Sequence, residues 1–139
     1  MYKNILLAAD GSIHSERAAD EAIRLASLTD QAMVEVIYVL DYDKAKSEVL
    51  HSENRAKLER KRRSRILAVE RKLKHSAVPY KMTMKHGDPG PTIVAYANDH
   101  DIDIVIVGSR GLNTLQEMVL GSVSHKVAKR VKCPVLIVK

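Results

Sequence analysis

The stretch Ile102-Asp103-Ile104-Val105-Ile106-Val107-Gly108-Ser109-Arg110-Gly111 decides the fold. Ile102–Val107 is the most apolar run in the chain, the pattern of a central strand buried on both faces, and Gly108 ends it. Toward the N-terminus, Gly87-Asp88-Pro89 reads as a turn in which Asp88 caps a helix and Pro89 takes its first position. Pro91 still falls in the first turn, where a missing N–H does no harm. Tyr80–Lys85 alternates Tyr, Met and Met with Lys and Thr, as a half-buried or edge strand does. Lys44–His75 holds no Gly or Pro, and its apolar residues Leu58, Ile66, Val69 and Leu73 are sparse, which predicts a long helix packing on one narrow face. Met33–Leu40 is a β-branched strand stopped by Asp41. Ser12–Leu28 is a helix with Ala18, Ala22, Leu25 and Ala26 on one stripe, preceded by a buried strand, Asn4–Ala9, that breaks at Asp10-Gly11-Ser12. Toward the C-terminus come a helix from about Ser122 to Val131 and a last strand, Pro134–Val138. The order βαβαβαβαβ predicts one α/β domain over residues 1–139, built on a doubly wound parallel sheet. Such sheets take ligands beyond the carboxyl ends of the strands, where the strand order reverses.

Composition narrows the functions open to such a domain. Five Tyr with no Phe and no Trp argue against recognition by stacking bases on aromatic platforms. A single cysteine, Cys133, forbids an internal disulfide or a multi-cysteine zinc site. The six histidines share no metal-ligand spacing, so no metal is expected to be held by protein ligands alone. The opening Met-Tyr-Lys-Asn-Ile-Leu-Leu-Ala-Ala-Asp lacks the long apolar centre of a signal peptide, and no run nears the roughly 20 apolar residues of a membrane span. A cytoplasmic protein with no membrane partner is the expectation.

The formal charge of +6 is unevenly placed. Residues 44–75 hold 12 Lys/Arg and 4 Asp/Glu, so the remaining 107 residues carry a net charge of −2. Arg60-Lys61-Arg62-Arg63 with Arg65 puts five cations in six positions, spread over all faces of a helix as a collar of charge. Such a collar reads as a solvated helix whose Lys and Arg stems cover apolar surface, or as a site for nucleic acid or an acidic partner. Without aromatic residues or a helix-turn-helix pattern, sequence-specific DNA reading is not expected.

The loop after the fourth strand carries the chemistry. Gly108-Ser109-Arg110-Gly111 is followed by nine residues and then Gly121-Ser122-Val123-Ser124. Glycines let the backbone turn and approach a ligand without a Cβ in the way. Gly121-Ser122 opens a helix, whose free N–H groups and dipole favour an anion such as phosphate, and Ser122 and Ser124 add hydroxyl donors. The alternative is that the glycines only permit tight strand-to-helix turns. Neither a Walker loop nor a dinucleotide Gly-x-Gly-x-x-Gly is present.

The spacing Gly-x2-Gly-x9-Gly-Ser, at Gly108, Gly111, Gly121 and Ser122, resembles the nucleotide-binding members of the universal stress protein family. The resemblance spans the chain and includes Ile-Leu-Leu-Ala-Ala-Asp-Gly-Ser near the start, Gly-Asp-Pro at 87–89 and Cys-Pro-Val-Leu-Ile-Val at the end. It implies a five-stranded parallel sheet of order 3-2-1-4-5 flanked by helices, Rossmann-like and similar to the adenine nucleotide alpha hydrolases, with ATP, accompanied by Mg, between strands 1 and 4. By position it places Asp10 near the ribose or phosphates, Ala8 and Ala9 beside the adenine, and Val39 against the base. It places Val107, Gly108, Gly111, Gly121, Ser122, Val123 and Ser124 along the ribose and phosphate wall, with Ser109 and Arg110 in the adjoining loop. It also implies a homodimer paired through the last strand, here Val135, Leu136, Ile137 and Val138, acting in a stress response with an unknown protein partner.

Each of these residues also has a plainer reading. Asp10 either reaches the ligand, directly or through Mg, or accepts the hydrogen bond that holds the Gly11-Ser12 turn. Arg110 meets phosphate or solvent, His125 faces solvent or caps its helix, and Cys133 is a packed thiol. With only Asp10 and Arg110 as candidates for stabilising a phosphoanhydride transition state, and no Lys in the loop, ATP hydrolysis is expected to be slow at most and the role that of a nucleotide-dependent switch.

Overall fold

The strands β1 (Asn4–Ala8), β2 (Met33–Leu40), β3 (Tyr80–His86), β4 (Ile104–Gly108) and β5 (Val135–Val138) form one parallel sheet of order β3-β2-β1-β4-β5. A computed structural model describes residues 2–40, 52–110 and 120–139 of the chain. Four helices are seen among these residues: α1 (Ile13–Ala26), α2 (Ser52–Ser76), α3 (Pro89–Asp99) and α4 (Ser122–Arg130). The expected strand order is the observed one. The first part of the predicted long helix, Lys44–His51, lies outside the described residues.

Each face of the sheet has its own core. Ile5, Leu7, Val34, Val36, Ile104 and Ile106 point to the face covered by α1 and α2, where Ala18, Ala19, Ala22, Val69 and Leu73 close over them. Leu6, Ala8, Ile37, Val105 and Val107 point the other way, under Ile93 and Ala97 of α3 and Val127 of α4. The β1–β4 pair is buried on both sides, and burying each of its Leu and Ile side chains is worth about 1.5–3 kcal/mol. The alanine stripe on α1 follows from its crossing: a helix passing close beneath several strands leaves room for methyl groups and little more.

Two local expectations need correction. The central strand begins at Ile104, two residues later than its apolar run. Asp103 keeps a backbone bond to β1, its N–H donating to the Asn4 carbonyl at 2.9 Å, and its carboxylate accepts the backbone N–H groups of Lys3 and Asn4 at 2.9 and 2.8 Å, clamping the entry to β1. Asp88 does stand at the N-cap of α3, with Pro89 following, but its side chain makes no capping bond. A cap normally serves the second or third helical N–H. The third position is Pro91, which has none, and Asp88 holds the helix only through its carbonyl, which accepts from the Thr92 N–H at 3.0 Å.

Candidate functional site

The two faces are served by different connections, and the change occurs at β1. The helices leaving β1 and β2 cover one face and those leaving β3 and β4 cover the other, so the chain diverges at the carboxyl ends of β1 and β4. An open crevice in a doubly wound sheet forms at this place.

From β1, Ala8 and Ala9 are both 5% exposed and bring no functional group. Asp10 follows, half-buried, with Oδ1 accepting the Ser12 N–H at 2.9 Å. That bond is the turn-holding role, and it engages one carboxylate oxygen. Gly11 has φ +81°, a left-handed conformation that disfavours any side chain. Ser12 is the N-cap of α1, its hydroxyl accepting the Ser15 N–H at 3.2 Å. Val39, near the end of β2, packs against the core on the α3–α4 face, the same face as Ala8 and Val107.

From β4, Val107 and Gly108 complete the strand beside Ala8. A Cβ at Gly108 would lie 2.7 Å from the Cβ of His14 and 3.0 Å from its carbonyl carbon. This glycine is therefore required by the close passage of α1. Ser109, 6% exposed, joins three elements through its backbone. Its N–H donates to the Val138 carbonyl of β5 at 2.7 Å, and its carbonyl accepts the Gly121 N–H at 2.8 Å and the Ser124 hydroxyl at 3.0 Å. The two halves of the glycine motif are tied to each other and to the edge strand through one residue. Arg110 is half-buried beside it; Gly111 lies outside the described residues.

Gly121 is the N-cap of α4 with φ −66°, ordinary extended backbone. Ser122 is exposed and Val123 packs half-buried on the α3–α4 core. Ser124 differs from its expected role. Its single hydroxyl proton is shared between the carbonyls of Ser109 and Gly121, each at 3.0 Å, so it braces the cradle and is not a spare donor. His125 is exposed. Cys133 is half-buried against the α3–α4 core, and burial pushes its thiol above the usual range, which suits a packed thiol. At the far edge, Val135, Ile137 and Val138 are half-buried and Leu136 is 37% exposed.

Glu35 carries polar chemistry that the apolar look of Met33–Leu40 concealed. Its side chain is 7% exposed on the α3–α4 face. Oε2 accepts the hydroxyls of Thr83, at 2.6 Å, and Tyr96, with the Lys81 ammonium 3.7 Å away. A buried carboxylate is tolerable only when so surrounded. Burial, then the hydrogen bond to Glu35 and the charge of that carboxylate, raise the Tyr96 hydroxyl above its ordinary value of 10.0. Stability from this group is therefore present below pH 10 and is lost as pH rises through the higher folded-state value. Tyr96→Phe is expected to cost about 1–3 kcal/mol in urea unfolding at neutral pH and to flatten the alkaline fall in stability.

Among the described residues no group of three or more His, Cys, Asp or Glu side chains could hold a metal ion, and no helix is long and apolar enough to cross a membrane. The sequence matches the universal stress protein family over residues 1–139. It is 31% identical to the universal stress protein YxiE of Bacillus subtilis, with both chains covered in full. The solved structure of MJ0577, from Methanocaldococcus jannaschii, is similar with a TM-score of 0.79 at 31% identity, covering 100% of this chain and 96% of that one. A universal stress protein solved in complex with cAMP is similar with a TM-score of 0.67 at 26% identity, covering 99% and 96%. Because the family model matches residues 1–139 and the Bacillus subtilis relative is 31% identical with both chains covered in full, the chain belongs to the universal stress protein family.

Proposed function

We propose that this chain is a single-domain ATP-binding protein of the cytoplasm, working as a homodimeric, nucleotide-dependent switch in a stress response, with at most slow hydrolysis. One observation carries the reading: the Ser109 backbone holds Gly108 and the Gly121 helix start together at the switch point, facing the turn that presents Asp10. The relative in complex with cAMP supports an adenine nucleotide as the ligand class. Ala8 and Val39, on one face of the sheet, give the base an aliphatic wall, whereas Ala9 is taken up by the core under α1. The phosphates meet the N–H groups of Ser122 and Val123 at the start of α4, the Gly121 N–H being held by the Ser109 carbonyl. The donor set fits a magnesium ion arriving with the phosphates: Asp10 offers one carboxylate, and the nucleotide and water supply the remaining oxygens. Bound magnesium would neutralise phosphate charge; Arg110 is the protein cation nearest in sequence to the cradle.

The dimer forms through the free edge of β5, whose four apolar residues otherwise leave an open row of backbone groups. Val138 accepts from Ser109, so the edge strand and the cradle share a residue through which occupancy reaches the dimer. Protein purified without added nucleotide, denatured and analysed by mass spectrometry, is expected to release an adenine nucleotide. Binding of ATP is expected to tighten the dimer in analytical ultracentrifugation. An empty protein with no ATP affinity by calorimetry would overturn the nucleotide reading, and turnover of many ATP per second would overturn the switch.

A further inference from the structure

The cationic part of α2 has no place in the nucleotide site. Its lower half is anchored: Val69 and Leu73 are fully buried, Lys72 bonds Asp20 of α1 at 2.9 Å, and Lys74 lies 3.8 Å from Glu70. Its upper half differs. Ala56, Lys57, Arg60, Lys61, Arg63, Ser64 and Arg65 are all exposed, and among the described residues none of these five cations has an ion-pair partner.

The Lys72–Asp20 bond sets the relative height of the two helices. Both return from the carboxyl ends of their strands to the start of the next, so they run the same way. Asp20 stands seven residues after the start of α1, whereas Lys72 stands twenty after the start of α2. The excess, about 13 residues or roughly 20 Å of helix, extends past the start of α1 on the carboxyl side of the sheet. Lys57, Arg60, Lys61 and Arg63 belong to this extension.

We infer that the projecting half of α2 binds the phosphate backbone of double-stranded nucleic acid, without reading its sequence. The five exposed cations between residues 57 and 65 fall within about 12 Å of helix, one per roughly 2.4 Å, close to the one charge per about 1.7 Å of a duplex. The complementarity is of charge alone. α2 carries no aromatic residue to stack on bases, which favours a duplex backbone over exposed single strands. Nor does it present an apolar face for a membrane, because its buried residues Val69 and Leu73 are spent on the core under α1. Outside residues 44–75 the chain carries a net charge of −2, which disfavours contact of a polyanion with the rest of the surface.

The test is fluorescence anisotropy with a labelled 20-base-pair DNA duplex and the full chain. Lys57, Arg60, Lys61 and Arg63 lie within about 160° of the helix circumference, and four phosphate contacts predict a log–log salt slope near −3.6, about a 150-fold loss of affinity between 50 and 200 mM salt. The triple variant R60Q/K61Q/R63Q is expected to reduce that slope by about 2.7 while melting at the wild-type temperature, since all three side chains are exposed. Equal binding of unrelated duplex sequences is also expected. Absence of saturable binding at 50 mM salt, or an unchanged slope in the triple variant, would overturn the inference. Displacement of the duplex by poly-glutamate at equal charge concentration would overturn it in favour of an acidic protein partner. None of these readouts involves ATP, so the nucleotide site and the cationic helix stand or fall separately.

Discussion

Gly121→Val is expected to weaken ATP binding by roughly 100-fold, about 2.7 kcal/mol, while the melting temperature falls by only about 2–5 °C, the cost of a poorer N-cap residue. The two halves of this result come from different facts. Gly121 has φ −66° and ψ 164°, backbone that any residue adopts, and its N–H bond to Ser109 survives substitution because it is made by the main chain. Folding therefore needs glycine here no more than its modest preference at an N-cap requires. The ligand does, because Gly121 caps the helix start where phosphates would approach the backbone, and a branched side chain occupies that approach. Calorimetric titration with ATP and a thermal melt on the same sample check both halves. Unchanged affinity would remove the phosphates from α4.

Gly108→Ala is expected to do the reverse: to destabilise the fold by about 2–3 kcal/mol, lowering the melting temperature by roughly 10 °C. The added methyl would meet the Cβ of His14 at 2.7 Å and its carbonyl carbon at 3.0 Å. Neither atom is the end of a flexible side chain, so α1 itself must shift. That helix also contacts β1, β4, β5 and α2, and moving it disturbs the core on that face. Saturating ATP should restore part of the loss by mass action if the shifted site still binds. A variant with wild-type stability would show that α1 yields easily at this point. Two glycines of one motif are thus required for separate reasons, one by the ligand and one by a neighbouring helix.

The limits of sequence reading can be seen at particular residues. Met33–Leu40 shows its strand through β-branched residues, yet Glu35 within it has no local explanation; its partners Thr83 and Tyr96 lie 48 and 61 residues away. Asp88 shows an N-cap by position, while Pro91 removes one of the N–H groups that its side chain would serve. Ser124 stands where a phosphate donor would, yet its hydroxyl is engaged by two carbonyls. Asp10 shows both sides of the problem: its turn-holding bond to Ser12 is local and could be anticipated, whereas its distance from a ligand depends on β4.

By itself, the sequence determined the alternation of strands and helices, the doubly wound class and the family, since all of these rest on local period, turn residues and a spaced motif. The tertiary structure alone decided why Gly108 is glycine, how Ser109 ties the cradle to the edge strand, and how far the cationic helix stands clear of the body. Those features arise where segments distant in sequence come within a few ångströms. Such an approach is governed by the packing of whole elements, and no local pattern of side chains encodes it.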